Sequence, residues 1–109
     1  MTDLAARSCK PCEAGVPPMT EAEIETHLAS VTGWKAAAGC IEKRFRFRNY
    51  FETISFVNAV AWVANRENHH PDLEVGYRAC KVKYRTHAID GLSENDFICA
   101  AKVDRLLGG

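Results

Sequence analysis

Residues 41–64 read IEKRFRFRNYFETISFVNAVAWVA, and a change of period inside that stretch decides the fold. Ile41, Phe45 and Phe47 alternate with Glu42, Arg44, Arg46 and Arg48, the period-two pattern of a strand with one buried and one wet face. At Asn49 the alternation stops. Asn49 with Glu52 three residues on has the form of a capping box, and it opens a long helix predicted over residues 50–68. The apolar positions Phe51, Ile54, Phe56, Val57, Val60, Ala61, Trp62, Val63 and Ala64 wrap further round that helix than the ~100° stripe that one sheet can cover. A second burial surface is implied, most simply another copy of the chain.

The flanking sequence extends the pattern in both directions. Upstream, Thr20-Glu21-Ala22-Glu23 is a capping box that starts a short helix over residues 21–30, with Ile24 and Leu28 on one face. Gly33 ends that region, and residues 34–38 followed by Gly39 read as a strand and a turn. Downstream, Pro71 disfavours helical geometry in His70 and is expected to stop the long helix there. Leu73, Val75 and Tyr77 then alternate with Glu74, Gly76 and Arg78. Val82, Tyr84 and Thr86 alternate with Lys81, Lys83, Arg85 and His87, with a turn expected near Ala79-Cys80. Asp90-Gly91 is a turn signal, and Ser93 with Asp96 caps a last helix over residues 94–106 that carries Phe97, Ala100, Ala101 and Val103. The expected class is α+β: two layers, a four-stranded antiparallel sheet with three helices on one face, in the order αββαββα. Residues 1–19 read as a poorly ordered N-terminal leader and residues 20–109 as a single domain.

Composition narrows the function. At 109 residues and 47% apolar content the chain has one core and would gain from oligomerisation. Lys plus Arg and Asp plus Glu balance at 14 each, so no global basic field points to nucleic acid, the local cluster Lys43, Arg44, Arg46 and Arg48 notwithstanding. No apolar run approaches the ~20 residues of a membrane span, and residues 1–7 lack the apolar core of a secretory signal, which places the protein in the cytoplasm. The 5 cysteines, Cys9, Cys12, Cys40, Cys80 and Cys99, are odd in number and scattered, as reduced thiols are. Cys80 and Cys99 sit among apolar neighbours. The Cys9/Cys12 pair finds no second C-x-x-C to complete a zinc site, and lacks the strand-then-helix context of a redox motif.

Three of the 4 histidines, His69, His70 and His87, fall around a helix end and a strand end, where separate elements converge. His69 and His70 lie where the helix dipole favours positive charge. Three imidazoles with water form a known zinc arrangement, yet adjacent histidines project in different directions and no carboxylate is evidently placed behind them. Proton transfer, with one imidazole charged and another neutral around a small substrate, is the favoured reading.

His69-His70-Pro71, Tyr77, Thr86-His87, Gly91-Leu92-Ser93 and Asp96 follow the order and spacing of the pterin-4a-carbinolamine dehydratase family, also called the dimerisation-cofactor family. The resemblance covers residues 20–107. It implies dehydration of a 4a-hydroxy-tetrahydropterin to quinonoid dihydropterin in tetrahydrobiopterin recycling, without metal or organic cofactor. It makes His69, His70 and His87 the catalytic and pterin-binding histidines, with Asn68 and Thr86 lining the same site. It also implies a homodimer or homotetramer, with an aromatic amino acid hydroxylase as a possible supplier of substrate. Some family members instead act as dimerisation partners of a transcription factor, a non-catalytic, coactivator-like role that needs the helical surface rather than the histidines. Two positions stand apart. Many members carry an acid four residues before the first histidine, where this chain has Asn65, with Glu67 two residues later; and Asp96 reads as a helix cap.

Overall fold

The computed structural model describes residues 3–11 and 16–108. Cys12, and with it the reading of a Cys9/Cys12 pair, lies outside the described residues. The elements are α1 (Glu21–Leu28), β1 (Lys35–Ala37), β2 (Cys40–Arg46), α2 (Tyr50–Glu67), β3 (Asp72–Val75), β4 (Ala79–Tyr84) and α3 (Glu94–Arg105). The four strands form one antiparallel sheet in the order β1-β2-β4-β3. Class and element order are those expected from the sequence.

One face of the sheet makes the core. Ile41 and Phe45 of β2 and Cys80, Val82 and Tyr84 of β4 face Phe56 and Val60 of α2 and Phe97 and Val103 of α3, all of them buried. The other face is a charge ladder: Glu42 stands opposite Lys83 and Arg44 opposite Lys81, while Lys83 pairs with Glu74 at 2.6 Å. Lys43 has the parity of the core face, and its ammonium escapes to the edge, where Nζ donates to Asp104 Oδ1 and to the Thr32 carbonyl, each at 2.9 Å. The same carboxylate accepts from Trp34 Nε1 at 3.1 Å, so one acid ties β2 and the α1–β1 connection to α3.

Several boundaries differ from expectation, each for a local reason. The long helix ends at Glu67, ahead of Pro71, because Asn68 takes the left-handed conformation (φ 51°, ψ 42°) that asparagine tolerates better than most residues. The amides of Asn68 and His69 both donate to the Ala64 carbonyl, closing the helix end. At the other end Asn49 caps Glu52 as expected, yet the Glu52 carboxylate reaches the Arg48 amide and guanidinium rather than closing the box. The turn expected near Ala79-Cys80 lies earlier, with the Gly76 amide donating to the Ala79 carbonyl at 2.8 Å, and both Ala79 and Cys80 belong to β4. That strand stops at Tyr84, so His87 sits on a 3-10 turn, His87–Ile89, rather than on the strand. A short bridge between Thr86 and Gly91 closes the turn. Gly91 is needed for close approach, since a Cβ there would stand 2.5 Å from Pro18 Cβ. The incoming chain is held at that crossing by the Met19 amide, which donates to the Leu92 carbonyl at 2.9 Å.

The described part of the N-terminal segment is joined to the core. Leu4, on a 3-10 turn Leu4–Ala6, is 5% exposed and belongs to the core cluster. Lys102 of α3 donates to the Ala5 carbonyl at 2.9 Å. Replacing Leu4 with alanine is expected to cost about 2–4 kcal/mol, because the cavity sits against a close-packed helix that cannot collapse into it. Urea denaturation of the L4A variant checks this, and an unchanged midpoint would show that the segment is not packed in solution.

The outer face of α2 carries the surplus apolar surface expected from its pattern. Phe51 is 80% and Trp62 61% exposed, with the Arg66 guanidinium lying over the Trp62 ring. No described helix is long and apolar enough to cross a membrane.

Candidate active site

The end of α2, the 3-10 turn after β4 and the N-terminal segment enclose a cleft of about 470 Å³. Asn68, His69, His70, Thr86 and His87 all line it, so the five residues singled out from the sequence converge. Such a volume lies within the range of small-molecule sites.

Each side chain is placed by a local device. The left-handed Asn68 swings the chain out of the helix axis, so that His69 turns back under the sheet while His70 stays exposed at the cleft. His69 Nε2 lies 2.7 Å from Asp96 Oδ1, and its ring stacks on Tyr84 at 5.8 Å between centroids and 6° between planes. The imidazole is thus fixed in both position and rotation. His70 and His87 differ from it: both are exposed, and neither imidazole makes a hydrogen bond or ion pair with another described residue. Thr86 is 4% exposed, and its hydroxyl donates to Asp96 Oδ2 at 2.9 Å and lies 2.7 Å from Ser93 Oγ.

Asp96 is the hub. It is fully buried, and besides His69 and Thr86 its carboxylate accepts from the Ser93 amide at 3.0 Å. The capping role read from the sequence is present, and the same carboxylate also braces two cleft residues. This second role was invisible because a cap at the third helical position is a sufficient reason for an aspartate.

Further residues line the cleft without having been singled out for it, among them Arg85, Asn95, Cys9 and Lys10. The Arg85 guanidinium pairs with Asp90 at the far end of the His87 turn, bracing it. Asn65, where an acid is common in the family, is exposed on α2 outside the cleft lining, whereas Glu67 lines it. The Glu67 side chain is 7% exposed and accepts from the Cys9 amide at 2.8 Å. Among the described residues no three His, Cys, Asp or Glu side chains are grouped to hold a metal ion.

Behind the cleft lie two buried weak acids, the Cys99 thiol and the Tyr84 phenol. Cys9 and Cys99 approach to 3.4 Å between sulfurs, and this hydrogen bond together with burial raises the Cys99 thiol well above its ordinary range. Burial, with the neighbouring thiols, raises the Tyr84 phenol likewise. Both groups stay neutral, so the platform beneath His69 carries no charge of its own.

Known proteins resemble this chain in sequence and in fold. Residues 17–106 match the family described as Pterin 4 alpha carbinolamine dehydratase. A relative from Nitrosomonas eutropha, provisionally named pterin-4-alpha-carbinolamine dehydratase, is 60% identical over 106 residues, covering 96% of this chain and 94% of the relative. A protein of the same provisional name from Legionella pneumophila is 48% identical over 109 residues, covering 97% of this chain and 96% of the relative. Among solved structures, a transcriptional coactivator/pterin dehydratase from Brucella melitensis superposes with a TM-score of 0.79 at 26% identity, covering 82% of this chain and 97% of that one. A pterin dehydratase-like protein identified as a RuBisCO assembly factor in the alpha-carboxysome superposes with a TM-score of 0.58 at 25% identity, covering 70% of this chain and 88% of that one.

Proposed function

The chain belongs to the pterin 4 alpha carbinolamine dehydratase family, and from that premise we propose that it is a hydro-lyase converting a 4a-hydroxy-tetrahydropterin to quinonoid dihydropterin and water. The observation that carries this reading is the pair His70 and His87. Two exposed imidazoles from different elements line one cleft beside a third, His69, that is clamped by a buried carboxylate.

The chemistry suits that arrangement. The bond from C4a to its hydroxyl oxygen breaks, and hydroxide is a poor leaving group unless it receives a proton as it departs. A proton must also leave the neighbouring ring nitrogen so that its electron pair can form the new double bond. Nothing is oxidised or reduced in that step, so one protonated and one neutral imidazole suffice, each within reach of the cleft. Asn68, the clamped His69 and Thr86 would orient the flat, polar ring. Such an enzyme would serve tetrahydrobiopterin recycling beside an aromatic amino acid hydroxylase in the cytoplasm, as a homodimer or homotetramer that covers Phe51 and Trp62.

The test follows the decay of 4a-hydroxy-tetrahydropterin, generated by a hydroxylase or chemically, with and without purified protein. Acceleration proportional to protein concentration is expected. A rate equal to buffer would overturn the enzyme reading in favour of a second one, a non-catalytic interaction module of coactivator-like type. The second reading draws on the exposed Phe51 and Trp62 of α2 and on the name of the Brucella structure.

A further inference from the structure

We propose that residues 9–11 form a substrate-binding wall of the dehydratase cleft, held in place by Asn95 and Glu67. The inference rests on the dehydratase reading and adds to it a part of the chain that precedes the family match at residue 17.

Three observations carry it. Cys9, Lys10 and Pro11 line the same cleft as His70 and His87. Their backbone is pinned: the Lys10 amide donates to Asn95 Oδ1 at 3.0 Å, Asn95 Nδ2 donates back to the Lys10 carbonyl at 2.5 Å, and the Cys9 amide donates to Glu67 Oε1 at 2.8 Å. The groups that do the pinning are themselves held, Asn95 and the Glu67 side chain each being only 7% exposed, with Lys102 at 3.7 Å from the Glu67 carboxylate.

Asn95 thereby treats Lys10 as one strand treats another, using both its donor and its acceptor. With those backbone groups occupied, what the segment offers the cleft is side-chain surface, the Pro11 ring and the Lys10 stem and ammonium. A surface fixed before the ligand arrives adds affinity without the cost of ordering a loop. Proton transfer is assigned to His70 and His87, the Pro11 ring has no proton to give, and the Cys9 thiol faces Cys99. The wall therefore contacts the parts of the pterin that do not react, and its contribution is the same before and during the chemical step.

Binding of that kind appears in KM and not in kcat. Two full-length variants test it in the decay assay: Lys10→Ala/Pro11→Gly, which strips the wall, and Asn95→Ala, which unpins it. Each is expected to raise KM about tenfold with kcat within about twofold of wild type. Combining them is expected to add less than about twofold more, because Asn95 acts through the segment. A KM within about twofold of wild type in the Lys10/Pro11 variant, or a fall in kcat at constant KM, would overturn the proposal. Effects that multiply in the combined variant would overturn the positioning role of Asn95. Lys10 and Pro11 are exposed, so that variant folds whatever becomes of Asn95→Ala. An inactive wild type would instead defeat the parent reading, which keeps the two failures apart.

Discussion

Replacing His70 or His87 with alanine is expected to lower kcat/KM for pterin dehydration by about 10²–10⁴-fold, while the unfolding free energy moves by no more than about 0.5 kcal/mol. Activity and stability separate here because both imidazoles are exposed at the cleft and bond to no other described residue, so the fold does not depend on them. Loss of either leaves one proton to be moved by water, at a cost of about 3–5 kcal/mol in the barrier. The two losses should not multiply. Once one transfer has become slow, removing the partner of a concerted pair costs little more, and the double variant is expected to lie within about tenfold of the weaker single one. The pH profile of the wild type is expected to be bell-shaped, since activity needs one ring protonated and the other not. Each alanine variant should then lose one limb, and the limb lost names the acid and the base. Single-turnover rates across pH measure this. Unchanged rates in both variants would remove the histidine pair from the mechanism even if the protein remained a dehydratase.

The legibility of this site varied with the kind of signal each residue carries. Alternation over Ile41, Phe45 and Phe47 and the Asn49 cap were enough for the strand, the long helix and hence the layer order, because period and caps are local properties of sequence. Helix and strand ends were less legible. The long helix, expected to residue 68, ends at Glu67, and the residue that breaks it is the left-handed Asn68 ahead of Pro71. His87 had the parity of a strand residue, but the bridge between Thr86 and Gly91 bends the chain before it. Pro18 passes close beside Gly91 at that bridge, a contact across more than seventy positions that no periodicity reports. Long separation hid the cleft's other members for the same reason. Asn95 looks like an ordinary first-turn helix residue, and its partner Lys10 lies 85 positions away.

Replacing Asp96 is expected to separate the bracing of the site from its stability. The Asp96→Ala variant should lose about 3–5 kcal/mol, because removing a fully buried carboxylate leaves the His69 ring, the Thr86 hydroxyl and the Ser93 amide without their acceptor in a place water does not reach. Asp96→Asn is the informative change. Its carbonyl oxygen can occupy the Oδ2 position and keep Thr86 and Ser93, so the helix cap survives and the loss should be about 1–2 kcal/mol. The amide then stands at the Oδ1 position and donates toward His69 Nε2, which must turn from donor to acceptor. That exchange moves the ring proton to Nδ1 without moving a heavy atom, so the nitrogen presented to the rest of the site changes character. If His69 takes part through its hydrogen bonding, the asparagine variant should fold and yet dehydrate pterin at least tenfold more slowly. Thermal unfolding gives the first quantity, the decay assay the second, and nitrogen chemical shifts of the His69 ring report the tautomer. A fully active, well-folded Asp96→Asn variant would confine Asp96 to its cap and reduce His69 to a packing residue against Tyr84.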